Sequence, residues 1–446
     1  MMNIVRDAKS AVSSGFRGIE RLSLLLALLI LGSAPGSLAQ AIPAAEASPI
    51  STGFALPLTA GTLQYAVSAS ESLVWGYYGG SSAAAYTNLN GDVAYISSST
   101  RDPFSMVLTA GRSWATSNGP SYSYANLGLS QVINVGRWNA VLSDNVSYLP
   151  GTPTTGLSGI PGLGDLGVPP IQVGVNSGQG VLTDYSNRIS NTASASIQRR
   201  ITGKTSIYGS GYYSLIHFLD NSFSSLGLDS TSASGGGGVN HEFNRRTSMG
   251  GNYIYSTYDY GVLYPGFSSQ TASLSYTHQY SRKLSLSGAA GPQWTTIQTP
   301  GSKATLSLFV NASASYTGHL SNSMLAYIRS TNSGYGVAGG TLSDSVSLAT
   351  SRTFSRVWNG SLMAAFSRSV SLPGQNFNQF NFHTVVAGGQ VSRALARSLS
   401  IYGSLTFQDQ SNSTSAGTVG NAFNGSSETL GFGITYSPVS RHFGRP

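Results

Sequence analysis

Along most of the chain, apolar and polar residues alternate with a period of two, the pattern of a strand with one greasy face. Across 398–408, Leu399, Ile401, Gly403, Leu405 and Phe407 fall on one face, and Ser398, Ser400, Tyr402, Ser404, Thr406 and Gln408 on the other. Across 304–316, Leu306, Leu308, Val310, Ala312, Ala314 and Tyr316 oppose Thr305, Ser307, Asn311, Ser313 and Ser315. The same rule orders Leu274, Tyr276 and Tyr280; Trp358, Leu362, Ala364 and Phe366; and Leu430, Phe432, Ile434 and Tyr436.

The strands recur in pairs. A short basic turn with an aromatic beside it returns about every 37 residues, clearest in YSRKLSLSG at 280–288, FSRVWNGSL at 354–362 and FNRRTSMGG at 243–251. One basic residue per turn marks Arg101, Arg137, Lys204, Arg246, Lys283, His319, Arg356 and Arg397. A period this long fits two strands, one tight turn and one looser loop. Eight such turns, with both chain ends on the short-turn side, predict 18 strands running from 62–78 to 427–436, or 16 if the first two segments are not strands.

Aromatics sit where the pattern needs them. Tyr280, Tyr316 and Phe354 precede short turns, Trp138 and Trp358 follow them, and all share the aliphatic face; Phe243 is less regular. Trp294 and Phe407 lie at the far ends of their strands on that face. Two rings of amphipathic side chains bounding an apolar band suit a membrane interface.

Composition sharpens this reading. Only 9% of residues are charged and Gly numbers 54, whereas a soluble domain carries about 25% charged residues. Residues 1–39 read as a secretory signal: Arg6, Lys9, Arg17 and Arg21 precede an apolar core from Leu22 to Leu31, and Ser37-Leu38-Ala39 offers a cleavage site. That core is too short to span a bilayer. Residues 40–61 form a short flexible leader, 62–436 the sheet, and 437–446 a tail. The net charge of +8 is dispersed, so no nucleic-acid partner is implied, and zero Cys excludes disulfides and thiolate metal sites. An exported sheet that meets lipid must close on itself, because lipid offers no partner to an unpaired backbone group. The fold class expected is therefore all-β, a transmembrane antiparallel up-and-down barrel.

The chain at this point resembles the bacterial outer-membrane β-barrels, from about residue 62 to Tyr436. That resemblance implies short periplasmic turns, longer extracellular loops and outer-membrane localisation. It further implies outer-membrane lipid, lipopolysaccharide and barrel-assembly machinery as partners, and homo-oligomers are common among related pores. The aromatic-Ser-Arg-x-Leu-Ser-Leu turn at Tyr280 to Leu286 resembles barrels that accompany exopolysaccharide and exosortase gene clusters. One departure is that SPVSRHFGRP continues past Tyr436, where many members end on a terminal aromatic.

Four features invite function. The polar face, for which Ser307, Asn311, Ser313, Ser400, Tyr402, Ser404 and Gln408 stand, is a candidate lumen lining. Its lack of charge suits a passive channel for polar, mostly uncharged solutes or glycans, since ion-selective pores place charge at a constriction. An alternative is a structural or accessory barrel of an exopolysaccharide export or surface-assembly system; a secreted β-solenoid is a third reading. The Gly/Pro-rich insertion 150–187 is a long outer loop that could fold inward or remain at the surface. Arg112 and Arg368, 11 and 12 residues from their turns on the apolar face, reach the level of outer-leaflet phosphates. The run Gly235 to Gly238 reads as a structural kink or close-packing site. None of the six His falls at metal-ligand spacing, so neither catalysis nor a cofactor is expected.

Overall fold

The computed structural model describes residues 61–76, 83–99, 101–117, 119–150, 187–219, 229–261, 265–334, 339–372, 380–412, 424–438 and 441–443. The signal, the leader up to residue 60 and the loop interior 151–186 lie outside the described residues. The strands are β1 (Gly61–Trp75), β2 (Ala84–Ser97), β3 (Phe104–Ser117), β4 (Tyr122–Val135), β5 (Trp138–Pro150), β6 (Asn187–Arg200), β7 (Thr205–Phe218), β8 (Ser230–Asn244) and β9 (Thr247–Asp259). They continue as β10 (Phe267–Gln279), β11 (Leu284–Ile297), β12 (Thr305–Thr317), β13 (Ser321–Asn332), β14 (Thr341–Thr353), β15 (Trp358–Ser371), β16 (Asn381–Ala394), β17 (Leu399–Asn412), β18 (Gly425–Tyr436) and β19 (Arg441–Phe443).

Each of the 18 long strands pairs antiparallel with its sequence neighbours, and β1 closes the sheet against β18, with Val67 opposite Tyr436 and Trp75 opposite Glu428. The result is a closed up-and-down barrel of 18 long strands, the architecture that the alternation predicts. A closed ladder has no edge, so the wall satisfies its own backbone within lipid. The tail adds a further pairing: β19 sets Arg441 opposite Leu63 and Phe443 opposite Gly61, beyond the Val67–Tyr436 pair at which the β1–β18 ladder ends.

Alternation decides which face meets what. Leu274, Leu306 and Leu405 are 70%, 64% and 57% exposed on the outer surface, and the same parity carries Val67, Leu89, Leu308, Leu325, Leu362 and Ile434. Apolar surface costs about 25 cal/mol per Å² in water, and soluble monomers rarely expose more than a few hundred contiguous Å² of it. Rows of exposed aliphatic residues on a closed wall are therefore stable only against lipid. All five Trp, namely Trp75, Trp114, Trp138, Trp294 and Trp358, share this outward parity and sit toward strand ends.

The short-turn motif also has a physical role. Ser281 Oγ accepts the backbone N–H groups of Lys283 and Leu284 at 3.2 and 3.0 Å. Ser355 Oγ does the same for Val357 and Trp358 at 3.3 and 3.2 Å, and Thr202 Oγ1 for Lys204 and Thr205 at 3.2 and 3.0 Å. The hydroxyl of the recurring Ser or Thr thus closes the turn on itself. In the β4–β5 hairpin, Gly136 takes this role through its backbone, at φ 60°, in a two-residue turn between Val135 and Trp138. The irregularity of Phe243 comes from a bulge between Glu242 and Asn244.

Candidate functional site: the lumen and its two rims

Inward parity on β12 belongs to Ser307, Asn311 and Ser313, and on β17 to Ser400, Tyr402, Ser404 and Gln408. These side chains therefore line one interior, and Gln408 and Tyr402 are 2% and 5% exposed. The girdle residues face the other way: Trp138, Tyr280, Tyr316, Phe354 and Trp358 at the short-turn end and Trp294 toward the long-loop end.

The inner wall satisfies much of its own polarity. Directly opposed hydroxyls bond across neighbouring strands, as in Ser143 with Ser194 at 2.6 Å, Ser147 with Ser190 at 2.5 Å, and Ser287 with Ser313 at 2.7 Å. On β1 to β4, Asn88 Nδ2 donates to Ser72 Oγ at 3.1 Å while its Oδ1 accepts from Ser113 at 2.5 Å, and Asn90 takes the Tyr124 hydroxyl. Such ladders rigidify the wall, because a desolvated donor that finds a partner avoids the cost of an unmade bond, although Gln408 Nε2, Ser330 Oγ and Ser427 Oγ are buried without one.

Charge is sorted to the outside. Of the charged side chains on the long strands, inward parity belongs to Asp92, Arg188, Arg200 and Glu242, two of each sign. Glu71, Arg112, Asp144, Asp259, Arg329, Asp344, Arg368, Asp409 and Glu428 all face outward. Sequence reasoning found the neutral lining but singled out none of these four inward charges, because each lies on a strand whose alternation is weaker.

A cross-strand hub narrows the wall toward the long-loop end. Gln293 Nε2 donates to Ser269 Oγ and Thr271 Oγ1 at 3.0 and 3.2 Å, while Oε1 accepts the Thr331 hydroxyl and backbone N–H at 3.1 and 3.3 Å. Gln293 is on β11 and Thr331 on β13, so β13 leans inward past β12; their pairing stops at Val310 opposite Arg329. Beyond it, Tyr260, Phe267, Ile297 and Leu372 form a buried apolar cluster with Tyr258 and Leu342 packed against it. The Tyr260 hydroxyl donates to the Ser333 carbonyl at 2.9 Å, and burial pushes that phenol well above its ordinary pKa. Gly340 lies so close that a Cβ would sit 2.5 Å from the Phe267 ring. Inward-facing Phe267 and Ile297 break the polar-in rule, the one trace of this cluster in the sequence.

Aromatic rings lie flat on glycines of the opposing strand. Tyr402 is opposite Gly433 and Tyr208 opposite Gly238, where a Cβ would stand 2.5 and 2.7 Å from the ring Cζ atoms. Within the run Gly235 to Gly238, Gly236 and Gly238 serve close packing on β8, since an added Cβ would stand 2.5 Å from the Tyr253 and Gly251 carbonyl oxygens respectively, whereas Gly235 faces open space.

On the outer face, Arg112 lies with its guanidinium 5.7 Å from the Trp114 ring centroid, and Arg368 Nε donates to Asn381 Oδ1 at 3.2 Å. Next to Arg368 in register, Asp344 accepts Arg329 Nη1 at 3.0 and 3.1 Å and the Tyr327 hydroxyl at 2.8 Å. Among the described residues, no group of three or more His, Asp or Glu is arranged to hold a metal. His217 meets Asp229 at 2.6 Å, but the pair is exposed and outward, and Asp229 also accepts the Phe218 N–H at 2.8 Å, a loop-end brace.

No family model matches the chain, and no curated protein does. Among solved structures, it is similar to OccK2 (OpdF) of Pseudomonas aeruginosa at 10% identity and a TM-score of 0.42, covering 84% of this chain and 98% of that one. The same protein in complex with glucuronate gives 9% and 0.41, covering 84% and 97%. OccAB3 of Acinetobacter baumannii gives 7% and 0.43, covering 86% of this chain and 99% of the other. At TM-scores below 0.5, none of these likenesses bears on what the present chain carries or binds.

Proposed function

We propose that the protein is a passive outer-membrane channel for small polar, mostly uncharged solutes. The observation that carries this reading is the sorting of charge: a hydroxyl and amide interior with balanced Asp92, Arg188, Arg200 and Glu242, inside a wall whose other strand charges face out. A pore without a charged ring has no fixed field to choose between ions, so passage depends on width and hydrogen bonding. Purified protein in a planar bilayer is expected to give discrete conductance steps with weak ion preference, and uncharged sugars should swell proteoliposomes. A barrel that inserts yet passes neither ions nor sugars sinks the proposal.

The short turns face the periplasm and the long loops the outside. Arg112 and Arg368 then stand at the outer leaflet, where their guanidinium groups contact lipopolysaccharide phosphates. The second reading is an accessory barrel of polysaccharide export, which the aromatic-Ser-Arg-x-Leu-Ser-Leu turn at Tyr280 to Leu286 suggests. Deletion of the gene separates the two. Loss of surface polysaccharide with unchanged solute uptake supports the accessory role, and slowed uptake alone supports the channel.

A further inference from the structure

At the short-turn end, three outward arginines lie over aromatic rings. The guanidinium of Arg199 is 5.0 Å from the Trp138 ring centroid, that of Arg393 is 5.4 Å from Trp358, and that of Arg352 is 6.0 Å from Phe354. Trp138 is directly opposite Arg199, and Trp358 directly opposite Arg393. Each pair lies within two residues of a strand end, so all three stand at one height. The Phe354 ring is seated on Gly360, where a Cβ would come within 2.6 Å of its Cε2.

These arginines differ from those at the opposite rim. Arg329 is engaged by Asp344 and Arg368 by Asn381, whereas Arg199, Arg352 and Arg393 form no ion pair among the described residues. Near them the described acids are few: Asp102 lies beside Arg101, and Glu242 has inward parity. A guanidinium with one face on a ring keeps its in-plane N–H groups directed outward, in a fork that matches two oxygens of a phosphate. Directly above each pair, the wall is aliphatic and suited to acyl chains.

We infer that these pairs are binding sites for the phosphodiester headgroup of inner-leaflet phospholipid, one at β5–β6 and a double one across β14–β16. An anionic headgroup such as phosphatidylglycerol is preferred over a zwitterionic one, because no carboxylate among the described residues pairs with these arginines or stands beside them to hold the choline or ethanolamine cation. The ring fixes the guanidinium at the interface, and the acyl chains cover the adjoining apolar rows. This inference rests on the membrane placement of the barrel and is independent of whether the lumen conducts.

Native mass spectrometry of the full chain in detergent, titrated with phosphatidylglycerol, phosphatidylcholine or inorganic phosphate, tests it. Phosphatidylglycerol should be retained preferentially, and Arg352→Gln with Arg393→Gln should weaken its binding about tenfold. Trp358→Leu should weaken it less, while Arg356→Gln, a turn arginine with no ring beneath it, should leave it unchanged. Wild-type protein that retains phosphatidylcholine equally, or variants that keep full phosphatidylglycerol binding, overturn the inference. Inorganic phosphate that competes equally would show a free-anion site and overturn it as a lipid site. The wild-type comparison stands even if a variant fails to fold. A barrel that shows the lipid preference but no conductance would retain these sites and lose only the channel.

Discussion

At Gly433 even an alanine would put its Cβ 2.5 Å from the Tyr402 ring, and the same holds at Gly238 beneath Tyr208 at 2.7 Å. The packing of these rings therefore depends on residues that have no side chain. Gly433→Val should destabilise the barrel by about 1–3 kcal/mol, read as a lower urea midpoint, because an overpacked contact forces the ring off its rotamer. Gly91, with nothing within 4 Å of its Cβ position, is the control and should accept Ala at little cost. The lipid-side ion pair makes a second residue-scale claim. Asp344→Ala leaves Arg329 facing the hydrocarbon boundary and should cost on the order of 1–3 kcal/mol, more than Asp344→Ala with Arg329→Leu together. Equal losses in the single and double variants would show that the two side chains do not act as a pair. Arg112 and Arg368 were legible from sequence as outward cations, but Asp344, Arg329 and Tyr327 were not, because pairing across β13 and β14 depends on a register that no single segment reveals.

Among elements, the 18 long strands and their facing were readable because the signal is local: period-two alternation selects a face, and a Ser- or Gly-closed turn fixes register. Phe407, Trp294 and Tyr316 announce their side by parity alone. What was not readable depends on contacts distant in the chain. The inward lean of β13 rests on Gln293, 38 residues from Thr331, and a lone Gln in a polar row gives no sign of it. Gln293→Leu removes five hydrogen bonds, two of them to Thr331; it should loosen the end of β13 and cost about 1–3 kcal/mol. Hydrogen exchange would then speed at Ser330 to Asn332 while Leu325 and Ala326 stay protected. Unchanged protection throughout would show that the hub does not hold the lean. The seam strand β19 escaped notice for the opposite reason, since three residues are too few to show a period.

Across the whole molecule, the decisive pattern is where charge goes. With 9% charged residues, the chain spends most of its strand charges on the outer face near the rims and leaves the bore to Ser, Thr, Asn, Gln and Tyr. This inverts the arrangement of a pore that sorts ions, and it makes selectivity a matter of size and hydrogen bonding. Asp92→Asn, which removes one negative charge from the interior at nearly constant volume, should shift ion preference toward anions; no shift would place Asp92 away from the permeation path. The most direct test of the central claim is the reversal potential of single channels in a planar bilayer under a salt gradient. Discrete steps that reverse near zero millivolts are the result expected of a hydrated bore whose few inward charges balance. A strong preference for one ion sign, or a properly inserted barrel that never conducts, would contradict it.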